Sequence, residues 1–121
     1  MLDDSDMVLV LEDEEEARTF LVRILEFEGF KALGFPNGAE ALVYLKKAQE
    51  PCCLIVLDIN MPVMNGPQFR SALLGESRLA KIPVVVVTAF DPPFATALSA
   101  VRVFRKPVDI DAFIRVVREI C

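Results

Sequence analysis

Leu54-Ile55-Val56-Leu57-Asp58-Ile59-Asn60-Met61-Pro62-Val63-Met64-Asn65-Gly66 joins a buried strand to a polar turn within one short stretch. Leu54–Leu57 is an unbroken apolar run without polar alternation, which predicts a strand covered on both faces. The run stops on an acid, Asp58. Residues 59–66 then collect the turn formers Asn60, Pro62, Asn65 and Gly66, and a short helix is expected over Gln68–Leu74. An aspartate after an apolar strand is often only a cap, so the meaning of Asp58 depends on what the rest of the chain brings to it.

Upstream, Met7–Leu11 is a second continuous apolar run and is followed by Glu12-Asp13. Glu14–Glu28 carries apolar residues at Ala17, Phe20, Leu21, Ile24 and Phe27, a helical stripe that Gly29 stops. Phe30–Phe35 reads as a strand interrupted by Gly34. Asn37 with Glu40 three residues on has the form of a helix N-cap box ahead of Ala41, Leu42 and Leu45. Downstream, Pro83–Val87 is a β-prone run ending at Thr88. Ala95–Ala100 predicts a short fourth helix after Pro92-Pro93, and Val101–Phe104 a fifth strand ending near Lys106-Pro107. Asp109 caps a last helix with the stripe Ile110, Phe113, Ile114, Val117 and Ile120. Strands alternating with helices imply right-handed crossovers and a parallel sheet with helices on both faces. The expected fold class is α/β, a doubly wound five-stranded parallel sheet.

Composition narrows the function classes. A chain of 121 residues is one domain, 1–121, with residues 1–6 expected as a flexible acidic lead-in. A hydrophobic fraction of 54% with 26% charged residues is globular, and a net charge of −5 argues against direct nucleic-acid binding and against an anionic membrane surface. The apolar runs are each about a strand long, far below the ~20 residues of a membrane span. Met1 is followed by acids rather than a basic, then apolar, leader, so a cytoplasmic location is expected. Cys52, Cys53 and Cys121 lack metal-ligand spacing and are expected to be reduced thiols without a function.

In a doubly wound sheet the working site lies at the carboxyl ends of the strands. Those ends carry Glu12 and Asp13, then Asp58, Thr88 and Lys106. Crowded carboxylates repel unless a positive charge stands between them. Hard oxygen donors of this kind suit Mg²⁺, and Lys106 supplies a second positive charge. An Asp carboxylate can act as the nucleophile in phosphoryl transfer, with a hydroxyl such as that of Thr88 donating to a phosphoryl oxygen. Each residue also has a purely structural reading. Glu14, Glu15 and Glu16 read as an acidic helix start, and Thr88 or Lys106 alone would be a cap or a surface residue. The ordered set predicts a site at which Asp58 accepts a phosphoryl group.

The succession Glu12-Asp13, Asp58, Met61-Pro62-Val63-Met64-Asn65-Gly66, Thr88-Ala89 and Lys106-Pro107 resembles the response-regulator receiver domains of two-component systems, the CheY-like fold. The resemblance runs from about Met7 to the end. It implies strand order 2-1-3-4-5 and a Mg²⁺ ion ligated by Asp13, by Asp58 and by the backbone carbonyl of Asn60, with Glu12 acting through metal-bound water. It further implies phosphorylation of Asp58 by a sensor histidine kinase or histidine phosphotransfer protein. Thr88 would swing toward the phosphoryl group and Lys106 would pair with it. Such a domain is a switch that catalyses its own phosphotransfer and dephosphorylation rather than an enzyme. Its output domain, protein partner or second copy would bind the face formed by the fourth helix, fifth strand and fifth helix. Asn60 and Phe90 would tune the access of water to the phosphoryl group.

The chain departs from the family pattern at three places. Glu12 stands where Asp is commoner. Val103 stands where Tyr or Phe usually precedes the lysine by three residues, with Phe104 one position later and on the other face of the strand. The Thr88–Lys106 segment is short by about one helical turn, so the fourth helix is expected to be shortened or irregular. A haloacid-dehalogenase-type phosphatase, which shares the Asp, Thr, Lys and Mg²⁺, would place its nucleophile on the first strand. A flavin binder would not tolerate Glu12-Asp13-Glu14 in a phosphate loop. The remaining alternative is a phosphorylation-independent interaction domain, motivated by Val103 and the short fourth helix.

Overall fold

The structure is a computed structural model that describes residues 7–48, 52–59, 61, 63–89 and 100–121. Along the chain run β1 (Met7–Leu11), α1 (Glu15–Phe27), β2 (Lys31–Phe35), α2 (Gly38–Lys47) and β3 (Leu54–Asp58). They are followed by α3 (Gly66–Leu74), a single turn α4 (Ser77–Ala80), β4 (Val84–Thr88), β5 (Arg102–Arg105) and α5 (Ile110–Ile120). The strands form one sheet in the order β2-β1-β3-β4-β5, and every neighbouring pair is parallel. This is the doubly wound architecture expected from the alternating pattern. Residues 95–99 of the expected fourth helix lie outside the described residues, as does the 1–6 lead-in.

Unbroken apolar runs become inner strands because alternate side chains feed different cores. Leu9, Leu11, Ile55, Leu57, Val84 and Val86 pack with Ala41, Leu42 and Leu45 of α2 and with Phe69 and Leu73 of α3. Val8, Val10, Val56, Val85 and Val87 face the opposite way, onto Leu21 and Leu25 of α1 and onto Phe113, Ile114, Val116 and Val117 of α5. Each such aliphatic side chain contributes about 1.5–3 kcal/mol on full burial, so a polar residue within these runs would break one of the two cores. The order of strands reverses between β1 and β3. The crevice therefore opens over the ends of those strands.

One expectation about α1 is corrected. Its buried residues are Leu21 and Leu25, whereas Phe20 is 55% and Phe27 88% exposed. With about 100° between successive residues, the 17-21-25 row lies against the sheet and the 20-27 row falls on its outer flank. Both predicted residues are apolar, but Leu21 and Leu25 are the ones that pack with Val8 and Val10 in the second core.

The β3–α3 connection is held by short-range bonds. The N–H of Gly66 donates to the Ile59 carbonyl at 2.8 Å, and a Cβ at Gly66 would stand 2.8 Å from the Ile59 Cα. Asn65, expected only as a turn former, is the N-cap of α3 and exchanges capping-box bonds with Gln68. Val63 adopts φ 69°, a left-handed conformation uncommon for a β-branched residue.

The cysteines also depart from expectation. Cys53 and Cys121 form a disulfide across a sequence separation of 68, while Cys52 is a buried free thiol pushed up to about 12 by burial. β3 begins near Cys53, and α5, running back against the strands, ends at Cys121. The two sulfurs thus meet at the end of the sheet away from Asp58.

Candidate functional site

Four strand ends converge over the reversal point. β1 runs out into Glu12 and Asp13, β3 ends at Asp58, β4 at Thr88, and β5 is followed by Lys106. In the sheet register Asp58 lies beside Val87 and Thr88 beside Arg105. The Lys106 N–H donates to the Thr88 carbonyl at 2.8 Å, which ties the last two ends together. The Lys106–Pro107 peptide is cis.

Glu12, Asp58 and Thr88 are buried, whereas Asp13 is exposed. One carboxylate oxygen from each of Glu12, Asp13 and Asp58 lies within 4.8 Å of the others. The Lys106 ammonium is 2.6 Å from Glu12 Oε1 and 3.6 Å from Asp58 Oδ2. Burial, and then the neighbouring Asp58 carboxylate, push the Glu12 carboxyl above its ordinary range, with Lys106 opposing the shift. Burial works against the charge of Lys106, but Glu12 and Asp58 outweigh it and hold the ammonium above its ordinary range. Among the described residues no hydrogen-bond donor reaches the buried Glu12 Oε2. A buried carboxylate oxygen without a donor, beside two further acids, is a donor set that fits a small hard cation.

The residues singled out from sequence divide clearly. Glu12, Asp13, Asp58 and Lys106 are brought together, and Thr88 ends the strand beside Asp58. Asn60 and Phe90 lie outside the described residues. Val103 and Phe104 occupy opposite faces of β5. Val103 packs against the α2–α3 core, while Phe104 is buried in the α1–α5 core, its ring 5.8 Å from that of Phe113 and nearly perpendicular to it. Val86, the partner of Val103, lies in the same core as Val103, so the Thr88 side of β4 is flanked by a small aliphatic rather than an aromatic ring.

Sequence reasoning passed over Arg18. Its Nη1 donates to the Glu12 carbonyl at 2.9 Å and, more weakly, to the Asp13 carbonyl at 3.4 Å. A long cation one turn into the helix that follows the acid pair is the only signal the sequence carries, and such residues are common on exposed helix faces.

Known proteins agree with this geometry. The family model for the response regulator receiver domain matches residues 8–118. The response regulator receiver protein CpdR of Brucella abortus is 42% identical over 59 residues, covering 49% of this chain and 48% of that protein. The polar-differentiation response regulator DivK of Brucella anthropi is 31% identical over 83 residues, covering 69% of this chain and 66% of that protein. The chain thus spans about half of the first relative and just under two thirds of the second. A crystal structure of a response regulator receiver protein from Pseudomonas putida superposes with a TM-score of 0.86 at 26% identity, covering 98% of this chain and 99% of that one.

Proposed function

Because this chain belongs to the response regulator receiver domain family, we propose that Asp58 accepts a phosphoryl group and that the phosphorylated domain changes what it binds. The observation that carries the reading is the meeting of three carboxylates and one ammonium over the strand-order reversal. The donor is the phosphohistidine of a sensor histidine kinase or a histidine phosphotransfer protein. An Asp58 oxygen attacks phosphorus and the P–N bond breaks, its electron pair leaving with the imidazole nitrogen. Asp13, Asp58, the backbone of Asn60 and, through water, Glu12 would hold Mg²⁺, which when bound neutralises charge on the phosphoryl oxygens. Lys106 would exchange a carboxylate partner for a phosphoryl oxygen, and Thr88 would donate its hydroxyl. The domain is a switch that promotes its own phosphorylation and dephosphorylation, not a turnover enzyme.

The partner surface is the face around β5 and α5, and it takes an output domain, a separate protein or a second copy. Among the described residues no helix is long and apolar enough to cross a membrane. We place the domain in the cytoplasm, where the kinase draws on ATP, and there the Cys53–Cys121 bond is open to cellular reductants.

Incubation with Mg²⁺ and acetyl phosphate tests the reading. Intact mass should rise by one phosphoryl group, and hydroxylamine should remove it as expected for an acyl phosphate. No mass gain, or a gain that persists in Asp58→Asn, overturns it. A phosphorylation-independent interaction domain is the second reading, favoured by the packing of Phe104 on Phe113 away from Thr88. Beryllofluoride, a phosphoryl mimic, separates the two. Unchanged self-association and amide exchange across β4 and β5 on its addition would support the binding-only reading.

A further inference from the structure

The β1–α1 loop has to aim Asp13, an exposed side chain that no core packing orients. Its backbone is nevertheless held from two directions. The Glu12 N–H donates to the Phe35 carbonyl on β2 at 3.1 Å, and the Glu12 carbonyl accepts from Arg18 Nη1 at 2.9 Å. The same Nη1 reaches the Asp13 carbonyl at 3.4 Å. Arg18 can span this distance because its stem crosses β2 at Gly34. A Cβ there would lie 2.8 Å from Arg18 Cγ and 3.0 Å from Cδ. The glycine that weakens β2 as a strand is what lets the arginine lie flat against the sheet edge.

We propose that Arg18, seated on Gly34, is a positioning residue that sets the direction of the Glu12 and Asp13 carboxylates for cation binding. Two consecutive carbonyls bonded to one guanidinium nitrogen restrain the peptide planes on either side of Asp13. Restraint of this kind acts on the backbone that carries the ligands, and an effect of about tenfold is expected, the low end of the ~10–100-fold typical when a direct hydrogen-bond partner of a metal ligand is lost. The inference rests on the receiver-domain reading of the site.

Charge and position predict opposite signs, which makes the test decisive. If Arg18 acted only through its charge, Arg18→Ala would remove a cation near the site and tighten Mg²⁺ binding. As a positioning residue, its loss weakens binding. Calorimetric titration of the full chain with MgCl₂ should give a Kd about tenfold higher for Arg18→Ala, with Arg18→Lys between that variant and the parent because an ammonium can still reach one carbonyl. Gly34→Ala, which displaces the arginine stem without touching its charge, should also raise the Kd. In acetyl phosphate assays the Mg²⁺ concentration for half-maximal rate should rise while the rate at saturating Mg²⁺ stays near that of the parent. A Kd for Arg18→Ala equal to or below the parent's overturns the proposal, as does an equal loss in Arg23→Ala, an exposed cation on the same helix. Should the parent itself bind no Mg²⁺, the function reading falls and this inference falls with it.

Discussion

Lys106 Nζ lies 2.6 Å from the Glu12 carboxylate, a contact between residues 94 apart in the chain. Glu12 is almost fully buried and Lys106 about two thirds so. The pair keeps a charged carboxylate in a crevice whose other side chains include the acids Asp13 and Asp58.

Lys106→Ala should therefore be destabilising in a pH-dependent way. With its partner gone, buried Glu12 is left charged and uncompensated at pH 8, at a cost of about 2 kcal/mol, less than for a fully dry pair because Lys106 is partly exposed. The Glu12 carboxyl already titrates above its ordinary range. Its folded-state pKa is raised, so its contribution to stability is full below the ordinary value of 4.5 and is lost as pH rises through the folded value. The raised Lys106 acts in the same sense above 10.5. Urea midpoints of variant and parent should converge as pH falls toward 4 and separate toward 8. A gap independent of pH would refute the role given to Glu12.

Asp58→Asn should abolish phosphoryl uptake while leaving the fold intact. It removes one of the three crowded carboxylates and keeps a side chain of similar shape, so the metal-free protein should gain up to about 1 kcal/mol. Thermal unfolding without Mg²⁺ checks this, and a lower melting temperature in the variant would contradict it.

Gly66→Ala tests the loop that follows the acceptor. The new methyl group would meet the Ile59 backbone at 2.8 Å, where no flexible side chain can yield. A loss of about 1–3 kcal/mol is expected, together with slower phosphoryl uptake, because the shift propagates to the end of β3. Unaltered urea midpoint and uptake rate would show that the loop relaxes without strain.

Reduction of the Cys53–Cys121 bond should lower stability measurably. The bond closes a loop across a sequence separation of 68, for which chain entropy alone gives about 4 kcal/mol. Melting with and without a dithiol reductant should separate by several degrees, and the Cys121→Ser variant should match the reduced parent. Alkylation before reduction should label none of the three cysteines, since Cys52 is buried with its thiol pushed up to about 12. Labelling of Cys121 in the native protein would disprove the bridge.

How much of this could be read from residues alone follows from the range of each interaction. Strand and helix periodicities arise from the local repeat of the backbone, so Met7–Leu11, Leu54–Leu57 and Val84–Val87 announce doubly covered strands and hence a parallel sheet. The rule that sites lie at carboxyl ends then collects Glu12, Asp13, Asp58, Thr88 and Lys106 without coordinates. Even Phe104 falling on the face opposite Val103 is a matter of simple alternation. Which row of α1 meets the sheet was less legible, since Phe20, Leu21, Ile24 and Phe27 are all apolar and only the fit against β1 selects among them.

Tertiary structure alone decided the contacts between distant residues. It joined Cys53 to Cys121, placed the Lys106 ammonium nearer to Glu12 than to Asp58, and laid Arg18 over Gly34 onto the carbonyls of the acid pair. No local pattern encodes these, because each depends on how far a helix slides over the sheet, and packing sets that distance through many small contacts at once.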